Sequence, residues 1–265
     1  MSDAAKQHNA RAWDALARRQ AALAKPATDD EFANPLRTVD PLGWLGDSIT
    51  NLKVLCLAAG GGRQSALYAA AGAQVTVVDI SGEMLALDRQ VATERGFDVR
   101  AIQTSMDELG MLSGGEFDLV IHPVSTCYVA DVQPVFREVA RVTRAGGLYV
   151  SQHKSPASLQ AKPRAAADGL GLTEQYYREG PLPATEPSRI RETGTLEYLH
   201  RWEQLLGGLC RAGFAIEDVV EPMHADHQAE VGTFGHRAMF VAPYVRVKAR
   251  RVTETQKASI YTASV

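Results

Sequence analysis

Residues 53–81 read KVLCLAAGGGRQSALYAAAGAQVTVVDIS, and this stretch decides the predicted fold. Its apolar run Lys53–Leu57 contains β-forming residues and predicts a buried strand. The small residues at 58–62 predict a turn that a ligand can approach closely, because glycine has no Cβ. A helix over 63–71 that ends at Gly72, followed by a second strand over 74–78, completes the pattern.

An acidic residue, Asp79, follows the second strand about 20 residues beyond the turn, where α/β nucleotide-binding folds hold a ribose diol. An ionised carboxylate can accept one hydrogen bond from each ribose hydroxyl. The small residues Ala58, Gly60 and Gly62 have the spacing AxGxG, and Arg63 replaces the third glycine of the dinucleotide pattern GxGxxG. The spacing therefore disfavours a dehydrogenase, and the structural alternative is a glycine-rich turn without a ligand.

Length and composition limit the classes of protein that this chain can represent. With 265 residues, one domain with additions is expected. The 28 basic and 31 acidic residues give a net charge of −3, which argues against a broad nucleic-acid surface. Cys56, Cys127 and Cys210 lie far apart and predict reduced thiols. There is no apolar run long enough to span a membrane and no signal peptide pattern, so we expect a cytoplasmic protein without a membrane partner.

Outside the opening stretch, periodicity and turn signals predict the remaining elements. The N-terminal part is predicted as a helix over 3–24 with Trp13 on its apolar face, followed by a mostly irregular connector over 25–48. The later elements are, in order, a helix over 82–95 between an N-cap Ser81 and Gly96, strands over 99–103 and 116–122, a helix over 131–142, a turn at 144–147, and strands over 148–152, 214–221 and 238–243.

Several of these motifs together resemble the type 11 class I S-adenosylmethionine (SAM)-dependent methyltransferases. The similar stretches are VLCLAAGGG, VTVVDIS, FDLVIHPVS and RVTRAGG. The chain is also similar to a bacterial subgroup with CLASGGGQQ and HPVSN motifs and an NxxAWD start. It departs from that subgroup at Ala59, Arg63 and Thr126, and Ser105 stands where many relatives carry Asp.

The resemblance implies a Rossmann-like α/β fold: a seven-stranded, mostly parallel sheet with helices on both faces and a final antiparallel strand. The N-terminal helix is predicted as a lid over the cofactor, and its alternative role is to attach to the core through Trp13. The resemblance also implies SAM as cofactor and S-adenosylhomocysteine as product. The positions expected to contact SAM are Trp13, Ala58, Gly60, Gly62, Asp79, Ile80, Met84, Ser105, Met106, His122 and Ser125.

The predicted division of the chain follows from these elements. It comprises an N-terminal helix and connector over 1–50 that form a lid, and a SAM-binding core over 51–154. An insertion over 155–200, rich in proline and carrying aromatic residues, is expected to cover the acceptor. Residues 201–245 return to the core, and a helix over 196–214, which resembles the subgroup's later helix, spans the boundary between the insertion and this part. Residues 246–265 form a tail whose basic edge at 246–251 is interpreted as a solvated face.

A base is needed if the methyl acceptor is a hydroxyl or a protonated amine, and histidine suits that role at neutral pH. The candidates are His122, His153 and His200, each with a structural role as its alternative. The cluster of His224, Asp226 and His227 is interpreted as solvated or hydrogen-bonded residues, and no metal site is predicted.

Three classes of function remain open. The leading one transfers a methyl group from SAM to a small molecule by direct displacement, because an acidic chain with a roomy cover favours a metabolite over nucleic acid. The second is a nucleic-acid or protein methyltransferase, and the third is a SAM-binding partner or sensor without methyl transfer. The sequence does not indicate the acceptor atom or the oligomeric state.

Overall fold

One sheet of seven strands forms the centre of the protein, and the computed structural model describes residues 3–19, 25–184 and 188–253. The strands run parallel from the first to the fifth, and the seventh is antiparallel to both of its neighbours. This arrangement confirms the predicted sheet. In chain order the strands are β1 (Lys53–Leu57), β2 (Gln74–Asp79), β3 (Val99–Gln103), β4 (Phe117–His122), β5 (Thr143–Lys154), β6 (Phe214–Val220) and β7 (Tyr244–Arg251), and they lie side by side as β3-β2-β1-β4-β5-β7-β6.

Helices cover both faces of this sheet, because successive side chains of its central strands are apolar on both sides. Leu55 and Leu57 of β1 face one apolar cluster, and Val54 and Cys56 face the other. The α-helices of the described residues are α1 (Asp3–Arg18), α2 (Asp29–Ala33), α3 (Pro35–Val39), α4 (Gln64–Ala70), α5 (Gly82–Arg95), α6 (Gln133–Val142), α7 (Pro156–Gln160), α8 (Gly208–Arg211) and α9 (Phe234–Ala238).

The helix α5 shows why local sequence signals predict boundaries well in this part of the chain. The Ser81 side chain accepts a hydrogen bond from the Met84 backbone at 3.1 Å, which satisfies a free N–H at the start of the helix. At the other end, Gly96 takes the left-handed conformation with φ of 70°. Both predicted ends are confirmed.

Three predicted segments differ from the structure in their helical content. The connector over 25–48 contains α2 and α3, because Thr28 and Glu31 form a capping box and Pro35 begins the next helix. The turn at 144–147 is part of the longer β5, in which Gly146 has φ of 73°. The predicted helix over 196–214 is restricted to a π-helical turn over Glu203–Gly207 and α8. Part of the predicted N-terminal helix, 20–24, lies outside the described residues.

The predicted seventh strand over 238–243 is wrong. That stretch holds the end of α9 and a turn, while Tyr244–Arg251 forms β7 between β5 and β6. The predicted solvated basic edge at 246–251 therefore belongs to the sheet. Alternating Val245, Val247 and Ala249 are buried in the core, whereas Arg250 pairs with Glu217. The core thus continues past residue 245, where the tail was predicted to begin; residues 254–265 lie outside the described residues.

No helix among the described residues is long and apolar enough to cross a membrane.

The internal position of β7 predicts a difference between the two faces of this strand. Val247→Ala should lower the free energy of unfolding by about 1.5–3 kcal/mol, because it removes fully buried methyl groups and leaves a cavity. The control Lys248→Ala, on the opposite face, should change it by less than about 0.5–1 kcal/mol. Denaturant unfolding of both variants measures this. Equal effects of the two substitutions would contradict the position of β7.

Candidate active site

A cavity of about 980 Å³ lies at the carboxyl ends of the parallel strands. Its lining includes Asp79 at the end of β2, Pro123 after β4, Gln152 near the end of β5 and Tyr244 at the start of β7. From β2 to β7 the sheet crosses four strand spacings, or about 19 Å at ~4.8 Å each. Ligand pockets typically measure about 300–1,000 Å³, so this cavity lies at the upper end of that range.

The turn between β1 and α4 forms one wall of the cavity and explains its small residues. Ala58 has φ of 48° and Gly61 has φ of 113°, so the chain bends through the left-handed region. That conformation costs a non-glycine residue such as Ala58 about 1–2 kcal/mol. A Cβ at position 60 would lie 2.7 Å from the Cβ of Met84 and 3.0 Å from the carboxyl carbon of Asp79. Glycine at position 60 therefore lets the turn approach the carboxylate.

Asp79 lines the cavity and is also bound to the turn. Its Oδ2 accepts a hydrogen bond from the Gly60 backbone at 2.9 Å, and its Oδ1 accepts one from the Ser81 backbone at 2.9 Å. Burial raises the pKa of Asp79, while these backbone hydrogen bonds act in the opposite direction by stabilising the ionised form. The carboxylate is thus held in place at the end of β2, in the wall of the cavity.

A second carboxylate beneath the turn, Asp88 on α5, has no counterpart among the predicted site residues. Asp88 accepts a hydrogen bond from the Gly61 backbone at 3.0 Å and another from the Ser65 hydroxyl. Burial raises the pKa of Asp88 to about 6. The only signal for it in the sequence is an acidic residue on the apolar side of α5.

Gly62, predicted to contact the cofactor, packs instead against this same helix. A Cβ at position 62 would lie 2.9 Å from Val91 and 3.0 Å from the Leu87 carbonyl oxygen, and Gly62 does not line the cavity. Its φ of 77° also favours glycine. The structure therefore assigns Gly62 to the support of the turn rather than to the wall of the cavity.

The wall next to β2 and β3 contains most of the other predicted cofactor contacts. Ile80, Met84, Ser105 and Met106 all line the cavity, and Ser125 lies opposite them after β4. The Ser105 hydroxyl donates a hydrogen bond to Asp107, which in turn forms an ion pair with Lys6 of α1 at 2.9 Å. The polar position after β3 is thereby linked to the N-terminal helix.

The helix α1 closes one side of the cavity through Trp13, Asn9 and Leu16. Trp13 meets the ring of Tyr128 edge to face at a centroid distance of 5.3 Å. Buried Asn9 donates hydrogen bonds to the carbonyl oxygens of Tyr128 at 3.0 Å and Leu196 at 3.1 Å. These contacts hold α1 against the loop after β4 and the segment that precedes the π-helical turn.

None of the three histidines predicted as candidate bases lines the cavity. His122 and His153 are each 1% exposed and His200 is 3% exposed. Burial lowers the pKa of both His122 and His153 to about 3. The Nδ1 of His122 lies 2.7 Å from the Tyr149 hydroxyl, so its ring points into the core. The predicted contact between His122 and the cofactor is likewise not made by its side chain.

His153 and His200 have structural partners as well. The two ring nitrogens of His153 lie 2.9 Å from the hydroxyls of Thr126 and Ser151. His200 precedes the π-helical turn and is not on a covering helix, and its Nε2 lies 2.9 Å from the Val129 carbonyl oxygen. The prediction of these histidines as bases is therefore corrected. His122 and His153 lie near the ends of β4 and β5 with their rings buried in the core, and the ring of His200 bonds to the backbone of the loop after β4.

The far side of the cavity is lined by residues that the sequence patterns did not identify. A group defined here as the Arg189 cluster contains Arg189, His224, Phe234 and Tyr244. The His224 ring lies 5.4 Å from that of Phe234 and 5.6 Å from that of Tyr244. His224 belongs to the cluster with Asp226 and His227 that was interpreted as solvated. It is half-buried because the chain that follows it returns to the sheet as β7 and places Tyr244 against its ring.

A largely buried network of four charged side chains lies next to this side of the cavity. The Lys154 ammonium lies 2.6 Å from Glu192 and 3.2 Å from Glu197, and Arg191 pairs with Glu197 at 2.5 Å. Burial opposes the charge on Lys154, but the neighbouring carboxylates outweigh burial and raise its pKa. Glu192 also accepts a hydrogen bond from the Tyr128 hydroxyl at 2.6 Å. This network fixes the segment after residue 188 onto the end of β5.

Comparison with known proteins shows the family. Residues 55–151 match the family model described as "Methyltransferase domain". The "Uncharacterized methyltransferase YbaJ" of Bacillus subtilis is 32% identical over 229 residues, covering 81% of this chain and 89% of that protein. A "Ubiquinone biosynthesis O-methyltransferase" of Bordetella pertussis is 31% identical over 137 residues, covering 49% of this chain and 56% of that protein.

A solved structure supports the same conclusion at the level of the fold. The S-adenosylmethionine-dependent methyltransferase of Mesorhizobium loti is 23% identical, with a TM-score of 0.64 over 83% of this chain and 100% of that one. The predicted resemblance to the class I SAM-dependent methyltransferases is confirmed, and SAM is the cofactor of the family. The chain belongs to the class I SAM-dependent methyltransferases.

Proposed function

We propose that this enzyme transfers the methyl group of SAM to a small organic acceptor. The observation that carries the proposal is that one continuous cavity of about 980 Å³ joins the wall around Asp79 to the Arg189 cluster. A volume at the upper end of the range for ligand pockets has room for a second small molecule beside the cofactor. The relative from Bordetella pertussis is named for ubiquinone biosynthesis, which supports a small acceptor. Its similarity covers about half of this chain.

The residues around the glycine turn fit SAM. The Asp79 carboxylate suits a ribose diol, and the close approach at Gly60 leaves a shallow cradle for the amino-acid part of the ligand. Ile80, Met84 and Met106 offer apolar surface for the adenine, and Ser105 offers a polar group beside them. When bound, SAM supplies a methyl group already activated by its sulfonium charge.

The chain itself has to orient the acceptor and remove its proton. We propose His224 as the proton acceptor, because its imidazole lines the cavity and forms no hydrogen bond with any group in the described part of the chain. Partial burial lowers the pKa of His224, and the positive charges of Arg189 and Arg246 lower it further. The ring is therefore neutral at physiological pH and can accept a proton.

The predicted division of the chain supplies the remaining parts of the proposal. The helix α1 acts as the lid over SAM through Trp13, and the insertion over 155–200 covers the acceptor through residues 188–193. Of the aromatic residues in the insertion, Tyr177 does not contribute to this cover, because it is 76% exposed and outside the cavity lining. An acceptor site covered by these two segments suits a small molecule better than a nucleic acid.

The experiment that tests this function combines calorimetry with a turnover assay. We expect micromolar binding of SAM and S-adenosylhomocysteine and no binding of NAD. A panel of phenols, amines and carboxylic acids should then include a compound that increases S-adenosylhomocysteine formation. Binding of SAM without turnover of any small acceptor, together with salt-sensitive binding of RNA or DNA, would contradict the proposal and favour a nucleic-acid methyltransferase.

The role proposed for Asp79 predicts a selective loss of cofactor affinity. Asp79→Asn should weaken SAM binding by at least about 100-fold, because two charge-assisted hydrogen bonds to the ribose contribute about 1.5–3 kcal/mol each. The control Asp118→Asn alters a carboxylate at the opposite end of the sheet, bound to the Lys53 backbone at 2.8 Å. Calorimetry on both variants, with thermal unfolding to verify folding, checks this. Unchanged SAM affinity in Asp79→Asn would refute the assignment.

The role proposed for His224 predicts a change in the pH profile. In the native enzyme, kcat should fall as the pH decreases through the lowered pKa of His224 and stay level above it, since the neutral ring is the base. His224→Ala should reduce kcat by about 10²–10⁴-fold and remove this acidic limb. The matched control is His227→Ala, an exposed histidine three residues away that does not line the cavity. A variant His224→Ala that retains the native profile would exclude this base.

A further inference from the structure

The guanidinium of Arg189, an exposed residue at the cavity wall, stacks on an aromatic ring of the Arg189 cluster. The Cζ atom of Arg189 lies 4.5 Å from the centroid of the Phe234 ring, so the guanidinium rests on an aromatic face. The Tyr244 hydroxyl donates a hydrogen bond to the Arg189 carbonyl oxygen at 2.8 Å and ties this backbone to the start of β7. A guanidinium placed over a ring keeps its N–H donors at the edge, where they can reach a ligand.

The charges around this part of the cavity do not balance. Lys154 and Arg191 carry two positive charges, and Glu192 and Glu197 carry two negative charges in the same network. Burial raises the pKa of Glu197, although its contacts with Lys154 and Arg191 favour the ionised form. In the described part of the chain, no carboxylate lies within ion-pairing distance of Arg189. Among the described residues of this wall, one positive charge is therefore in excess.

A second guanidinium lies one layer behind the wall. Arg246 of β7 donates a hydrogen bond from its Nε to the Oε1 of Gln152 at 2.9 Å, and Gln152 lines the cavity. No ion pair joins Arg246 to a carboxylate of the residues that the structure describes. The positive charges of Arg189 and Arg246 thus act on the same region, which favours a ligand of negative charge.

We infer that the methyl acceptor carries an oxyanion, a carboxylate or a phosphate ester, attached to an aromatic body, and that Arg189 binds this oxyanion. The inference rests on the proposed function, since it names the chemistry of the small acceptor. The planar guanidinium fork matches two oxygens of a carboxylate or phosphate. The rings of His224, Phe234 and Tyr244 offer edges and faces against which an aromatic body packs. Arg189 is on this basis the residue that determines acceptor specificity.

The test uses the full chain loaded with S-adenosylhomocysteine and three probes of similar size: benzoate, phenyl phosphate and the neutral benzamide. Calorimetry should show binding of at least one anion, with benzamide at least about tenfold weaker. Arg189→Leu should weaken binding of the anion at least about tenfold and leave the affinity for benzamide within about twofold. The anion with the higher affinity identifies the oxyanion as carboxylate or phosphate.

A matched control separates this effect from the loss of any surface arginine. Arg164→Leu removes an exposed arginine of the same insertion that does not line the cavity, and it should leave all three affinities unchanged. Equal binding of the anions and benzamide, no binding of either anion, or an unaltered preference in Arg189→Leu would overturn the inference. A failure to bind S-adenosylhomocysteine in the same titrations would contradict the proposed function instead.

Discussion

The structure depends on the way that two carboxylates hold the turn after β1. Asp79, at the end of β2, and Asp88, on α5, each accept a hydrogen bond from one of two consecutive backbone amides, Gly60 and Gly61. Burial of a carboxylate is unfavourable unless hydrogen bonds stabilise its charge, and these amides provide them. The turn, the second strand and the following helix consequently form one unit. The left-handed backbone of Ala58 is maintained by the surrounding structure.

A second constraint acts on the opposite side of the cavity. The ammonium of Lys154 is shared between Glu192 and Glu197, and removing one partner of such a buried group would leave an uncompensated charge. Asn9 of α1 also bonds to the Leu196 backbone through both its amide nitrogen and its oxygen, the latter at 2.7 Å. The segment near residue 192 is therefore attached to β5 and to the N-terminal helix. Its position relative to the cavity follows from these attachments rather than from its own sequence pattern.

Local patterns predicted the first half of the sheet well, because strands, caps and turns there are determined by neighbouring residues. Lys53–Leu57 and Gly82–Arg95 have the predicted bounds. The last strand was misplaced although Val245, Val247 and Ala249 alternate with polar residues in the period of a strand. The arginines between them read as a solvated face, and only the tertiary structure shows Glu217 opposite Arg250 and the Ala140 carbonyl oxygen at 2.9 Å from Arg251.

The site was predictable where it depends on the turn and unpredictable where it depends on long-range packing. Nine of the predicted cofactor positions line the cavity: Trp13, Ala58, Gly60, Asp79, Ile80, Met84, Ser105, Met106 and Ser125. All except Trp13, which lies on α1, are at or shortly after the carboxyl ends of β1 to β4, whose order is shared by the fold. The histidines illustrate the other case. A position at the end of a strand does not specify whether the side chain points toward the cavity or into the core. The rings of His122 and His153 point into the core.

The two sides of the cavity differ in charge, and under the proposed function this difference would suit the cofactor on one side and the acceptor on the other. The side near β2 presents the carboxylate of Asp79, which suits the neutral hydroxyls of a ribose, while the side near β7 presents an arginine without a carboxylate partner among the described residues. Electrostatic complementarity of this kind gives orientation more than affinity. For methyl transfer, orientation is the main contribution that a protein makes, since the activated methyl group and its acceptor need alignment. Opposite charges at the two ends of one cavity would align the two ligands with their reacting atoms between them.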